Sequence, residues 1–151
     1  MGIVKIFYDL ETTGLDERKH GIHHLSGLIE VNDVVVESFD FKVAPNALAK
    51  IEPAALRVGG VTEDQIKAYP EMGTVFKKFI KLIGKYVDNY DPDSKAFLVG
   101  FNNRAFDDNF LAAWFIQNYN NYFTSYFWSG SLDVMVQATE YLLTRRVAMP
   151  S

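Results

Sequence analysis

The stretch Ile3-Val4-Lys5-Ile6-Phe7-Tyr8-Asp9-Leu10-Glu11-Thr12-Thr13-Gly14 decides how the chain is read. Its first six residues are rich in β-branched and aromatic side chains and read as a largely buried strand. Alternate residues of a strand share a face, so Asp9 and Glu11 project to one side, within reach of a single metal ion. No lysine or arginine lies between Asp9 and Gly14 to neutralise them. Two carboxylates side by side disfavour joint ionisation, and an oxygen-seeking divalent cation, Mg²⁺ or Mn²⁺ rather than zinc, resolves that conflict. A lone pair of this kind also fits a turn at Asp9 with Glu11 in solvent, so the rest of the chain has to decide.

A chain of 151 residues, 48% of them hydrophobic, builds one sizeable core and is too short for two, which predicts one domain over residues 1–151. The net charge is -4 and the 15 basic residues form no long block. Attraction of nucleic acid by bulk charge is thereby excluded, and any such contact must be local. The absence of cysteine excludes disulfides, thiolate metal sites and cysteine nucleophiles. No apolar run reaches membrane-spanning length and no cleavable leader is visible, so the reading is a cytoplasmic protein with no membrane partner.

Outward from the first strand, Gly14 to Gly21 reads as a charged turn, and Ile22 to Ile29 and Val34 to Val43 as strands joined in a hairpin at Asn32-Asp33. Ala47 to Gly60 offers a short helix or turn, and Thr62 with Gln65 a capping box. Met72, Val75, Phe76, Phe79, Ile80, Ile83 and Val87 recur at helical spacing and predict a helix from Met72 to Tyr90. Ala96 to Gly100 reads as a strand parallel to the first, reached through the helical crossover. A helix follows from Phe106 to Tyr119, and Ser131-Leu132-Asp133 opens a last one. The fold class is therefore α/β: a mixed sheet of three antiparallel N-terminal strands and a parallel crossover strand, flanked by helices.

Asp107 and Asp108 follow the polar loop Gly100-Phe101-Asn102-Asn103-Arg104-Ala105-Phe106, which leaves a strand and enters a helix. Ligand sites of α/β sheets lie outside the carboxyl ends of strands. If the two parallel strands are neighbours, Asp107 faces Asp9 across a gap that takes a second cation, an arrangement suited to phosphodiester hydrolysis. Capping of the helix by Asp107 or Asp108 is the competing role.

The order Phe7-Tyr8-Asp9-Leu10-Glu11-Thr12-Thr13-Gly14, then Asn102-Asn103-Arg104-Ala105-Phe106-Asp107, then Leu132-Asp133 resembles the DEDD superfamily of 3′-to-5′ exonucleases, which is DnaQ-like and has a ribonuclease H-like fold. Within it the likeness is to the proofreading subunit of bacterial DNA polymerase III and its relatives. Ile51-Glu52-Pro53-Ala54-Ala55-Leu56 and Val58-Gly59-Gly60-Val61-Thr62 are similar to the stretch before that family's crossover helix. The resemblance implies a two-metal exonuclease releasing nucleoside 5′-monophosphates. Asp9 would bridge two Mg²⁺ or Mn²⁺ ions, Glu11 would join it on one, and Asp107 would help hold the other. Thr12 and Thr13 would support the terminal nucleotide, Leu15 and Phe106 would wedge beside its base, and Asn102 would order the loop or touch substrate. For Phe106, core packing is an equal alternative. Asp133 matches a further acidic position, with helix capping as its competing role. The partners implied are the 3′ end of single-stranded DNA, favoured over RNA, and a polymerase or other protein.

The chain also departs from that pattern. The family completes its site with a late histidine or tyrosine near a fourth aspartate, and after Asp133 only Glu140, with Tyr141 beside it, is available. The expectation is a domain incomplete at its C-terminal end. His23 and His24 are adjacent on a strand and point to opposite faces, which makes them a poor ligand pair. The rival functions are a catalytically inactive exonuclease-like binding module and a metal-dependent phosphatase.

Overall fold

The computed structural model describes residues 2–100, 106–129 and 132–133. Five strands, β1 (Val4–Thr12), β2 (Ile22–Val31), β3 (Val34–Lys42), β4 (Ala96–Gly100) and β5 (Leu132–Asp133), form one sheet in the order β3-β2-β1-β4-β5. β1 pairs antiparallel with β2, from Val4↔Val31 to Glu11↔His24, and parallel with β4, from Val4↔Ala96 to Phe7↔Val99. The mixed, ribonuclease H-like sheet read from the sequence is the one observed. Asn32 and Asp33 turn the β2–β3 hairpin at φ 51° and 66°, the left-handed pair that a two-residue turn requires and that these side chains tolerate.

Helices α1 (Pro53–Gly59), α2 (Glu63–Lys67) and α3 (Met72–Ile83) carry the crossover from β3 to β4. Thr62 closes the expected capping box: its hydroxyl accepts from the Gln65 amide at 3.1 Å and its own amide donates to Gln65 Oε1 at 2.8 Å. α3 stops at Ile83 rather than Tyr90. Gly84 takes the C-cap, and the Lys85 and Tyr86 amides turn back to the Leu82 and Ile83 carbonyls. Val87 still enters the core, so the apolar spacing continues past the end of the helix.

Helix α4 (Asp107–Gln117) follows β4, and α5 (Phe123–Tyr126) lies in the aromatic segment that periodicity leaves unassigned. Phe76 of α3 meets Trp114 and Phe115 of α4 edge-on, at 5.1 and 5.0 Å between ring centroids. These helices join Val4, Ile6, Tyr8 and Leu10 of β1, with Leu25, Ile29 and Leu98, in one core. One correction concerns the end of the chain: Leu132 and Asp133 form a fifth strand, paired with Val99 and Gly100, and do not open a helix. Two residues carry no periodicity from which a strand is legible. The remainder of the expected last helix, with Glu140 and Tyr141, lies outside the described residues.

Candidate carboxylate site

β1 divides its side chains by alternation. Val4, Ile6, Tyr8 and Leu10 are buried, whereas Asp9 is exposed and Glu11 half-buried. The register extends this polar face into rows across the sheet: Glu11 stands opposite His24 and His24 opposite Lys42, while Asp9 stands opposite Ser26 and Ser26 opposite Asp40. His24 does not turn to Asp9; its Nε2 pairs with Asp40. His23 points the other way and is buried at a β-bulge. Burial, and then the neighbouring His24, hold its pKa below the usual histidine range.

Asp107 reaches this region from the start of α4. The helix is preceded by Phe106, which makes no side-chain cap, so neither Asp107 nor Asp108 acts as a cap. Asp107 is 7% exposed, and its carboxyl is pushed up to about 7, first by burial and then by the charges of Asp9, Asp108 and Glu11. The β1 carboxylates, distant in sequence, therefore raise the cost of ionising Asp107, as expected when a buried acid has like charges beside it. Their donor set is all oxygen, which suits Mg²⁺ or Mn²⁺. As the side chains lie, no group of three or more histidine, aspartate or glutamate residues forms a ready metal cage among the described residues.

A contact that sequence reasoning missed fixes the start of α4. The Tyr8 hydroxyl, on the buried face of β1, donates to Asp108 Oδ1. Burial, followed by the Asp108 charge and this hydrogen bond, raises the phenol well above its ordinary pKa. Asp108 is thus tied to the residue preceding Asp9. The only available signal was a hydroxyl-bearing side chain at an inward position of β1, where a plain hydrocarbon would fill the core equally well.

The remaining predicted residues separate. Thr12 donates its hydroxyl to the Gly14 carbonyl at 2.7 Å. Thr13 is fully buried, and its hydroxyl both donates to the Lys50 carbonyl at 2.6 Å and accepts from the Gly21 amide at 3.0 Å. Its hydroxyl therefore anchors the loop. Leu15 stands 83% exposed. Phe106 packs against the core, its ring 4.8 Å from that of Phe110. α1 ends beside the site: a methyl group on Gly59 would lie 3.6 Å from Glu11 Oε2. Asp133 sits in β5, next to β4, while Asn102 and Arg104 lie outside the described residues. A surface groove of about 790 Å³, lined by Pro45, Met72, Phe76 and Tyr122 among others, includes none of the three carboxylates.

The sequence matches the RNase T family, described as Exonuclease, over residues 6–142, and the chain belongs to that family. Its fold is that of a DnaQ-like DEDD exonuclease domain. It is similar to a structure of Escherichia coli exonuclease I with single-stranded DNA in a metal-free form (TM-score 0.78, 19% identity, 99% of this chain and 32% of that one). It is also similar to exonuclease I in its apo form (TM-score 0.76, 18% identity, 100% of this chain and 34% of that one). The DNA polymerase III PolC-type of Mycoplasmopsis pulmonis is 25% identical over 113 residues, 75% of this chain and 7% of the polymerase. The chain thus spans about a third of exonuclease I and a small part of the polymerase. The likeness is to the superfamily and not specifically to the proofreading subunit of polymerase III. No helix among the described residues is long and apolar enough to cross a membrane.

Proposed function

We propose that the chain is a metal-dependent 3′-to-5′ exonuclease that releases nucleoside 5′-monophosphates from a nucleic-acid strand, with single-stranded DNA favoured over RNA. The observation that carries this reading is the electrostatic coupling of Asp107 to Asp9 and Glu11, in a chain of the exonuclease family. Asp9 would be shared by two Mg²⁺ or Mn²⁺ ions, with Glu11 completing one position and Asp107 the other. Bound there, such ions supply a water of lowered pKa and stabilise charge on the phosphate. The protein's own contribution is to hold three carboxylates on a rigid strand and helix and to present Thr12 and Leu15 to the terminal nucleotide. The structure of exonuclease I with single-stranded DNA supports that substrate class, and the PolC-type likeness supports a DNA polymerase as a partner.

A second reading, an inactive exonuclease-like binding module, is favoured by the lack of a ready three-ligand cage among the described residues. The two are separated with 5′-labelled single-stranded DNA and RNA incubated with Mn²⁺ or Mg²⁺. Stepwise shortening by the wild type that disappears in Asp9→Ala supports the exonuclease. Strand binding without shortening supports the module, and neither binding nor shortening removes both readings.

A further inference from the structure

The loop from Thr12 to Gly21, between β1 and β2, is built around a histidine the proposed chemistry does not use. His20 is 8% exposed, and its ring lies flat against Gly14: a Cβ on Gly14 would fall 2.4 Å from its Cγ and Cδ2. Only a glycine leaves room for that approach. The ring's Nδ1 accepts the Asp16 amide at 3.1 Å, and the His20 amide donates to the Asp16 carbonyl at 2.8 Å. Because Nδ1 accepts, the neutral ring carries its proton on Nε2, which stands 3.5 Å from Glu52 Oε1.

The base of the loop is closed separately. The Thr13 amide donates to the Gly21 carbonyl at 2.9 Å, the Glu52 amide to the Thr13 carbonyl at 2.8 Å, and the Lys50 amide to the Lys19 carbonyl at 2.7 Å. Leu15, which follows Gly14 and precedes Asp16 in the chain, is 83% exposed. A single exposed leucine is ordinary on a protein surface. This one is held immediately after the carboxylate strand, by a loop fixed at both its base and its tip. Fixing a contact residue before binding removes the ordering cost from the binding step.

We infer that His20 is a positioning residue: by stacking on Gly14 and accepting the Asp16 amide it holds Leu15 as a preformed platform for the terminal nucleotide of the strand. This rests on the exonuclease reading, because the platform acts on that reading's substrate. His20 itself touches no substrate, and its effect passes through Leu15.

The test is a double-mutant cycle on 5′-labelled single-stranded DNA with Mn²⁺, accompanied by hydrogen exchange at the Asp16 amide. His20→Ala and Leu15→Ala each raise KM about 10-fold, with kcat changed less than about threefold, and the double variant is no worse than Leu15→Ala alone. His20→Asn, whose Oδ1 takes the place of Nδ1, restores both KM and protection of the Asp16 amide, whereas His20→Gln restores neither. Gly14→Ala is damaging by itself and is relieved by His20→Ala, which vacates the space its methyl needs.

Additive effects in the cycle, an unchanged KM in His20→Ala, or equal rescue by Asn and Gln overturns the inference while leaving the exonuclease reading intact. A wild type that neither binds nor shortens the strand removes that reading, and the platform with it. Unchanged Asp16 exchange in His20→Ala removes the clasp regardless of activity.

Discussion

The two faces of β1 are built from the same nine residues, Val4–Thr12, and answer to different demands. Inward, Val4, Ile6, Tyr8 and Leu10 meet the core under α3 and α4; outward, Asp9 and Glu11 stand in a polar field with Ser26, His24, Asp40 and Lys42. The inner face lowers the free energy of folding by removing hydrocarbon from water. The outer face raises it, because Asp107 is held close to like charges. Stability and proposed function are thus separated by a rotation of one residue, and Tyr8, with its hydroxyl on Asp108, is where the inner face reaches toward the outer one.

Substitutions on the two faces should therefore give opposite phenotypes. The largest expected effect is on the outer face: Glu11→Gln lowers nuclease turnover by about 10²-fold or more, the usual scale for losing a preorganised charge, with an unchanged or higher melting temperature. A parallel loss of fold and turnover would break the comparison. On the inner face, Ile6→Ala, at a site 1% exposed, costs about 3 kcal/mol of stability. It leaves turnover of the folded fraction near wild type, which denaturant titration combined with activity per folded molecule will show.

The next effect depends on pH. A carboxyl whose folded pKa is raised to about 7 binds its proton more tightly when folded, so its contribution is complete below the unfolded value near 4 and is lost as pH rises through about 7. Asp107→Asn should thus make the metal-free protein more stable than wild type at pH 8, by about 2 kcal/mol. The difference should shrink toward pH 4, as measured by thermal melts across that range, and the variant should be inactive at every pH. Tyr8→Phe is the smallest change, costing about 1 kcal/mol for the lost hydrogen bond while keeping the inner face packed. An unchanged melting temperature in this variant would sever the proposed link between the faces.

The fold was legible wherever a local signal coincides with a global one. Asn32-Asp33 marked the hairpin, Thr62 with Gln65 marked the start of α2, and alternation along β1 put Asp9 and Glu11 on one face. Legibility ended where the deciding contact is long-range. Gly84 closes α3 while Val87 keeps its apolar rhythm, β5 exists only by pairing with β4, and Thr13 looks like a surface hydroxyl until Lys50 and Gly21 are brought to it. The Tyr8–Asp108 tie spans 100 residues of sequence, and the His20 stack depends on the path of a loop.

The most direct measurement of the central claim, that Asp9, Glu11 and Asp107 act as one set, is Mn²⁺ binding by the wild type and by Asp107→Asn, read by electron paramagnetic resonance of the free ion and by the shift in melting temperature. The account predicts Mn²⁺ uptake with a raised melting temperature in the wild type, and loss of both in the variant. Wild-type affinity retained by Asp107→Asn, or no Mn²⁺ binding by the wild type, would contradict it.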